Sequence, residues 1–285
     1  MRWLGGRESD NVDDRRGGGG GMVVGGGIGT LVIALVVYLL GGDPSQLLQN
    51  NNDQQQTTAS APDGPQPDDA AASFTKKVLA STEDVWTKIF AEQNAKYPAP
   101  TLVLFRQQTS SGCGGASAAS GPFYCPGDQK VYIDLSFYDE LAQRFQAPGD
   151  FAMAYVVAHE IGHHIQKQMG TMDKVDAARE RNSEVQNNRL SVRLELQADF
   201  YAGVWAHHAQ GQSIALDDND VNAALRAASS IGDDRIQQET QGQVVPDAFT
   251  HGTSAQRVYW FKKGLKTGDI SQGDTFNSRE DASLQ

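Results

Sequence analysis

His159-Glu160-Ile161-Gly162-His163 closes an apolar run that opens Phe151-Ala152-Met153-Ala154-Tyr155-Val156-Val157-Ala158, and the reading of this stretch decides the fold. Pro148-Gly149-Asp150 supplies a helix start with Asp150 as N-cap, and Gly170 supplies a stop, so the spacing predicts one helix over 151–169. Successive residues on a helix advance about 100°, which sets two His four apart only about 40° from each other around the axis. Both rings can then grip one ion. Glu160 projects from an adjacent part of the helix, where it is free to take a proton from a water on that ion instead of ligating it. A helix that is apolar on most sides, with an ionisable cluster in its second half, is expected to be buried except where a cleft reaches it.

A zinc site that does chemistry keeps three protein ligands and one open position, so a third ligand must come from elsewhere in the chain. Leu194-Glu195-Leu196-Gln197-Ala198-Asp199-Phe200-Tyr201-Ala202-Gly203 offers Glu195, on a second segment otherwise rich in apolar residues. Asp199 lies four residues later on the same face, placed to accept a hydrogen bond from the outer nitrogen of a ligating His and so fix its tautomer. The bland alternative for both is a solvated face that pairs with Arg193.

His-Glu-x-x-His followed by Glu-x-x-Ala-Asp resembles the gluzincin metallopeptidases. The wider context resembles the predicted neutral zinc metallopeptidase family of bacterial membrane-anchored proteins, through Cys113-Gly114, Gly121-Pro122-Phe123-Tyr124-Cys125-Pro126, Val131-Tyr132-Ile133-Asp134-Leu135 and Asp247-Ala248-Phe249-Thr250-His251-Gly252-Thr253-Ser254-Ala255-Gln256-Arg257. The resemblance implies Zn2+ held by His159, His163 and Glu195, Glu160 as general base, and Asp199 behind His159. It also implies that a strand above the motif helix binds substrate backbone, for which 130–135 is the candidate. An oxyanion needs stabilising as an amide is attacked, and His251, in a Gly- and Thr-flanked loop, is the candidate for that second catalytic role. The alternative is that His251 and Arg257 only cap or brace the last helix. His207 and His208, about 120° and 220° around the helix from Glu195, do not share its face and are read as structural or exposed.

Residues 22–40 carry no charge and, as a helix, would reach about 28 Å, the length of a bilayer core. Arg2, Arg7, Arg15 and Arg16 precede this span, and no Lys or Arg follows until Lys76. The expectation is therefore a single-pass inner-membrane anchor with a cytoplasmic N-terminus and the catalytic domain in the periplasm or outside the cell. Gly21, Gly25 and Gly29 have the small-xxx-small spacing that can pair such helices into a dimer. In that compartment the only two cysteines, Cys113 and Cys125, are expected to form a disulfide worth about 3 kcal/mol.

The organisation expected is a cytoplasmic segment over 1–21, a transmembrane helix over 22–40, a flexible linker over 41–72, a zinc metallopeptidase domain over 73–270 and a frayed tail over 271–285. Strands are expected over 102–105 and 130–135, with helices over 82–95, 136–145, 151–169, 177–210, 217–230 and after Ser254. The fold class is α+β, a mainly helical zincin-like domain with a small sheet. A formal net charge of -11 and the lack of interleaved aromatic and basic residues argue against nucleic acid as a partner. The function expected is hydrolysis of peptide bonds in a peptide or protein substrate. The alternative is a catalytically silent zincin-fold binding or scaffold protein at the cell envelope.

Overall fold

The computed structural model describes residues 2–3, 6–16, 70–117, 121–143, 150–230, 232–234, 237–238 and 243–284. The chain divides into one unit of Met1–Arg15 with Pro67–Gln285 and a second of Arg16–Gln66, of which only Arg16 is described.

In the first unit, strands β1 (Arg2–Trp3) and β2 (Val12–Asp14) precede helix α1 (Ala70–Glu92). There follow β3 (Thr101–Phe105), the hairpin β4 (Gln108–Ser111) and β5 (Gly114–Ser117), then β6 (Phe123–Cys125) and β7 (Lys130–Asp134). Helices α2 (Phe137–Gln143), α3 (Asp150–Gln168), α4 (Thr171–Arg179) and α5 (Glu184–Ala209) come next. The chain continues through β8 (Ile214–Ala215), α6 (Asp218–Ser230) and α7 (Ser254–Thr267).

The main sheet has the order β2-β3-β7-β6, with β2, β3 and β7 parallel and β6 antiparallel on the edge. Side chains alternate across a strand, and the sequence of β3 and β7 uses both faces. Leu102, Leu104, Val131 and Ile133 join the helical core, while Val103, Phe105 and Tyr132 pack with Ala116 and Cys125 of the hairpin side. Helices thus cover one face and the β4–β5 hairpin the other. The disulfide Cys113–Cys125 ties the hairpin turn to β6, as expected.

The helical core is built on α3 and α5, with Trp86, Phe151, Tyr155, Phe200, Trp205, Trp260 and Phe261 buried around them. Two glycines let α7 press onto α5: a Cβ at Gly203 would stand 2.2 Å from the Phe261 carbonyl oxygen, and one at Gly264 2.1 Å from that of Phe200. The expected helix over 177–210 is instead two, because Ser183 caps α5 with a capping box closed by Gln186.

Three expectations are corrected. No helix among the described residues is long and apolar enough to cross a membrane, and 22–40 itself lies outside them, so the transmembrane helix and the single-pass location have no support. The expected topology also conflicts with the sheet: Val12 pairs with Leu102 and Asp14 with Leu104, and Ser9, Asn11 and Arg7 all bond the buried Glu83 of α1. A segment paired in this way cannot lie across a bilayer from its partner strand. Finally, the expected tail packs on the domain, with Asp281 fully buried against Arg193 and Gln256.

Candidate metal centre

Helix α3 carries His159, Glu160 and His163, and α5 crosses it at Gly162, whose missing side chain admits the Ala198 backbone. That crossing brings Glu195 to both rings. Nε2 of His159 stands 3.1 Å from one Glu195 oxygen, and Nε2 of His163 3.4 Å from the other. Ligands at about 2 Å from one tetrahedral ion lie roughly 3.3 Å apart, so this donor set fits zinc. Among the described residues, these three form the cluster able to hold a metal.

The outer nitrogens are both engaged, which aims the inner ones at the centre. His159 Nδ1 lies 2.9 Å from Asp199 Oδ1, and His163 Nδ1 lies 2.9 Å from the side-chain oxygen of Gln166. Asp199 is itself gripped by the buried Arg257, whose Nε donates to Oδ2 at 2.8 Å and whose Nη2 donates to Oδ1 at 3.0 Å. The Tyr155 hydroxyl also donates to Oδ1.

Electrostatics follow from burial and pairing. Burial favours a neutral His159, but Asp199 and Glu195 outweigh it and push the ring up to about 10. For His163 burial is likewise outweighed, by Glu195, and the shift is upward. Burial raises Glu195, yet the two rings hold it well below the usual carboxylate range. Asp199 moves down as well, because Arg257 and His159 overcome its burial. Glu160 differs: burial raises its carboxyl more than the nearby His rings and the Tyr124 backbone lower it. It is 8% exposed and stands outside the trio, which leaves its oxygens for other chemistry.

His251 is not part of this cluster. Its ring is 49% exposed, and Nδ1 lies 3.1 Å from Asp233 Oδ1. Asp233 Oδ2 accepts the backbone N–H groups of Thr250, His251 and Gly252, and so shapes the loop. His164 is buried between Tyr124 and the Pro98 carbonyl, while His207 and His208 bond backbone carbonyls at the end of α7. The 130–135 strand expected to meet substrate is interior to the sheet, whose two outer strands are β2 and β6.

The sequence alone does not reveal these contacts of Gln166, Tyr155, Arg257 and Asp233. Gln166 sits three residues after His163 and Tyr155 four before His159, spacings that share a helix face and could have found them. Nothing local points Arg257 at Asp199 or Asp233 at His251.

Two His from one helix and a Glu from a crossing helix, each ring held from behind, form a three-residue cluster that could hold a metal ion. A family described as "Putative neutral zinc metallopeptidase" matches residues 1–276, and the chain belongs to that family. The Uncharacterized protein YpfJ of Escherichia coli (strain K12) is 48% identical over 284 residues, covering 97% of this chain and 99% of its own. The Uncharacterized protein Rv2575 of Mycobacterium tuberculosis (strain ATCC 25618 / H37Rv) is 41% identical over 210 residues, 70% of this chain and 69% of its own. No solved structure matches the chain.

Proposed function

We propose that the protein is a zinc metallopeptidase that hydrolyses peptide bonds, with Glu160 as general base. The observation that carries this reading is a buried carboxylate beside a His, His, Glu donor set to which it does not belong. A zinc site kept only for structure has no use for such a base.

His159, His163 and Glu195 hold the ion, and Asp199 and Gln166 keep the two rings turned toward it. Bound zinc would polarise the scissile carbonyl and make water acidic enough to attack near neutral pH. Glu160 takes the proton from the attacking water and passes it to the leaving amine. The upward shift of its carboxyl brings it nearer the range in which one group can do both. The strand β6, last in the sheet order, is the candidate for adding an extended peptide as a further strand. His251, held by Asp233 at Nδ1, is the candidate donor to the developing oxyanion, a role that needs the doubly protonated ring because Nδ1 already gives its proton to the carboxylate.

The test is cleavage of a mixed peptide library. Activity that disappears with a chelator and returns with zinc supports the reading, and cleavage unaffected by metal removal overturns it.

A further inference from the structure

The partner of His163 opens a path away from the centre. Gln166 Oε1 faces His163 Nδ1, and its amide group donates to the Leu194 carbonyl at 2.7 Å and to Gln197 Oε1 at 3.2 Å. Gln197 in turn donates its amide group to the Gly273 carbonyl at 2.8 Å. Both glutamines are buried, at 0% and 6% exposure, so neither trades these bonds for water.

The ends of this chain fix its direction. A backbone carbonyl can only accept, so Gly273 and Leu194 require amide N–H groups to face them. Gln197 must then present its oxygen to Gln166, and Gln166 its oxygen to His163. An oxygen at that position accepts only a proton carried on Nδ1, which leaves Nε2 as the atom that meets the ion. Asp199 does the same for His159 with a charged acceptor, and the two rings are oriented by different means.

The acceptors lie on the other parts of the site. Leu194 is next to the third ligand, so Gln166 bridges α3 to α5 at the level of the centre. Gly273 belongs to the C-terminal segment, which is fastened to the same stretch of α5 by Thr275 on the Arg193 carbonyl and Asp281 on the Arg193 guanidinium.

We propose that Gln166 and Gln197 are positioning residues of the metal centre, a directed hydrogen-bond chain by which the C-terminal segment sets the tautomer of His163. The proposal rests on the zinc reading above. Gln166→Met is expected to weaken zinc binding about 10- to 100-fold, the range for removing the outer partner of a ligating His. Gln197→Met weakens it less, since the Leu194 carbonyl still holds the Gln166 amide. Because the two act in series, the double variant should match Gln166→Met within about twofold.

The experiment is chelator-competition measurement of zinc affinity on the full chain, for the parent, both single variants and the double, with NMR of the His163 ring nitrogens in the zinc-loaded proteins. Weakened binding in series, with the Nδ1 proton signal altered in both singles, is the expected result. Variants that unfold at lower temperature yet bind zinc as the parent does have lost packing alone, and overturn the proposal. Independent, additive losses also overturn it. A parent that takes up no zinc overturns the zinc reading and this proposal together, an outcome distinct from parent-like variants.

Discussion

Gly162 lies against the backbone of Ala198: a Cβ at position 162 would stand 2.8 Å from the Ala198 carbonyl oxygen and 2.9 Å from its Cα. Gly162 falls between the two His, and Ala198 about one turn beyond Glu195, so the helices α3 and α5 touch backbone to backbone at the level of these residues. Gly162→Ala must separate the helices. It is expected to cost about 1–3 kcal/mol of stability and to weaken zinc binding as Glu195 moves off the rings. Thermal unfolding and zinc titration check this, and parent-like affinity would contradict it.

Glu160→Gln keeps the shape of the side chain and removes its basicity. Zinc should stay bound, while turnover falls by roughly 10²–10⁴. Loss of zinc from this variant would make Glu160 a ligand and the assignment wrong.

Glu195 and Asp199 should separate by degree. Glu195→Ala removes a donor atom and is expected to empty the centre at ordinary zinc concentrations. Asp199→Asn leaves the donors in place but loosens His159 and leaves Arg257 buried without its counter-charge, so zinc binds about 10–100-fold more weakly and the fold loses stability. Full occupancy in Glu195→Ala, measured by metal analysis, would move the third ligand elsewhere.

Asp233 gives the His251 loop a pH dependence. Burial pushes its carboxyl up, but the His251 ring and the N–H groups of His251 and Gly252 outweigh burial, and the net shift is downward. A depressed folded value means that the stabilisation is fully present above the unfolded value, about 4, and is lost as pH falls through the folded one. The stability gap between the parent and Asp233→Asn should therefore be widest near neutral pH and shrink below about pH 4. Urea melts across that range check it, and a constant gap would contradict the assignment.

Residues 7–15 belong to the domain. Their removal would strip β3 of a neighbour and leave Glu83, 5% exposed, without Ser9, Asn11 and Arg7. A chain that begins after this segment is expected to melt lower than the full chain. An unchanged midpoint would mean the segment adds nothing.

Much of the centre is legible in the sequence because helical spacing is local information. His159, Glu160 and His163 share one turn, and Glu195 and Asp199 another, so only the crossing of the two helices had to be supplied. The crossing itself depends on Gly162 meeting Ala198, which no periodicity reveals. The outer position of β6 is not legible because the strand is three residues long, too short for an alternating pattern to show. The N-terminal strand is hidden for a similar reason: Val12–Asp14 is short, and its partner β3 lies some ninety residues on. The apolar run after it suggests an anchor on composition alone, and composition carries no information about what the flanking strands pair with. Arg257 reaches Asp199 only because Gly203 and Gly264 let α7 touch α5.

The most direct test of the central claim is zinc stoichiometry of the full chain, measured together with peptide cleavage by the parent and by Glu160→Gln. The account predicts one zinc per chain in both proteins and cleavage by the parent alone. Absence of zinc, or bound zinc with no cleavage of a mixed peptide library by the parent, would contradict it.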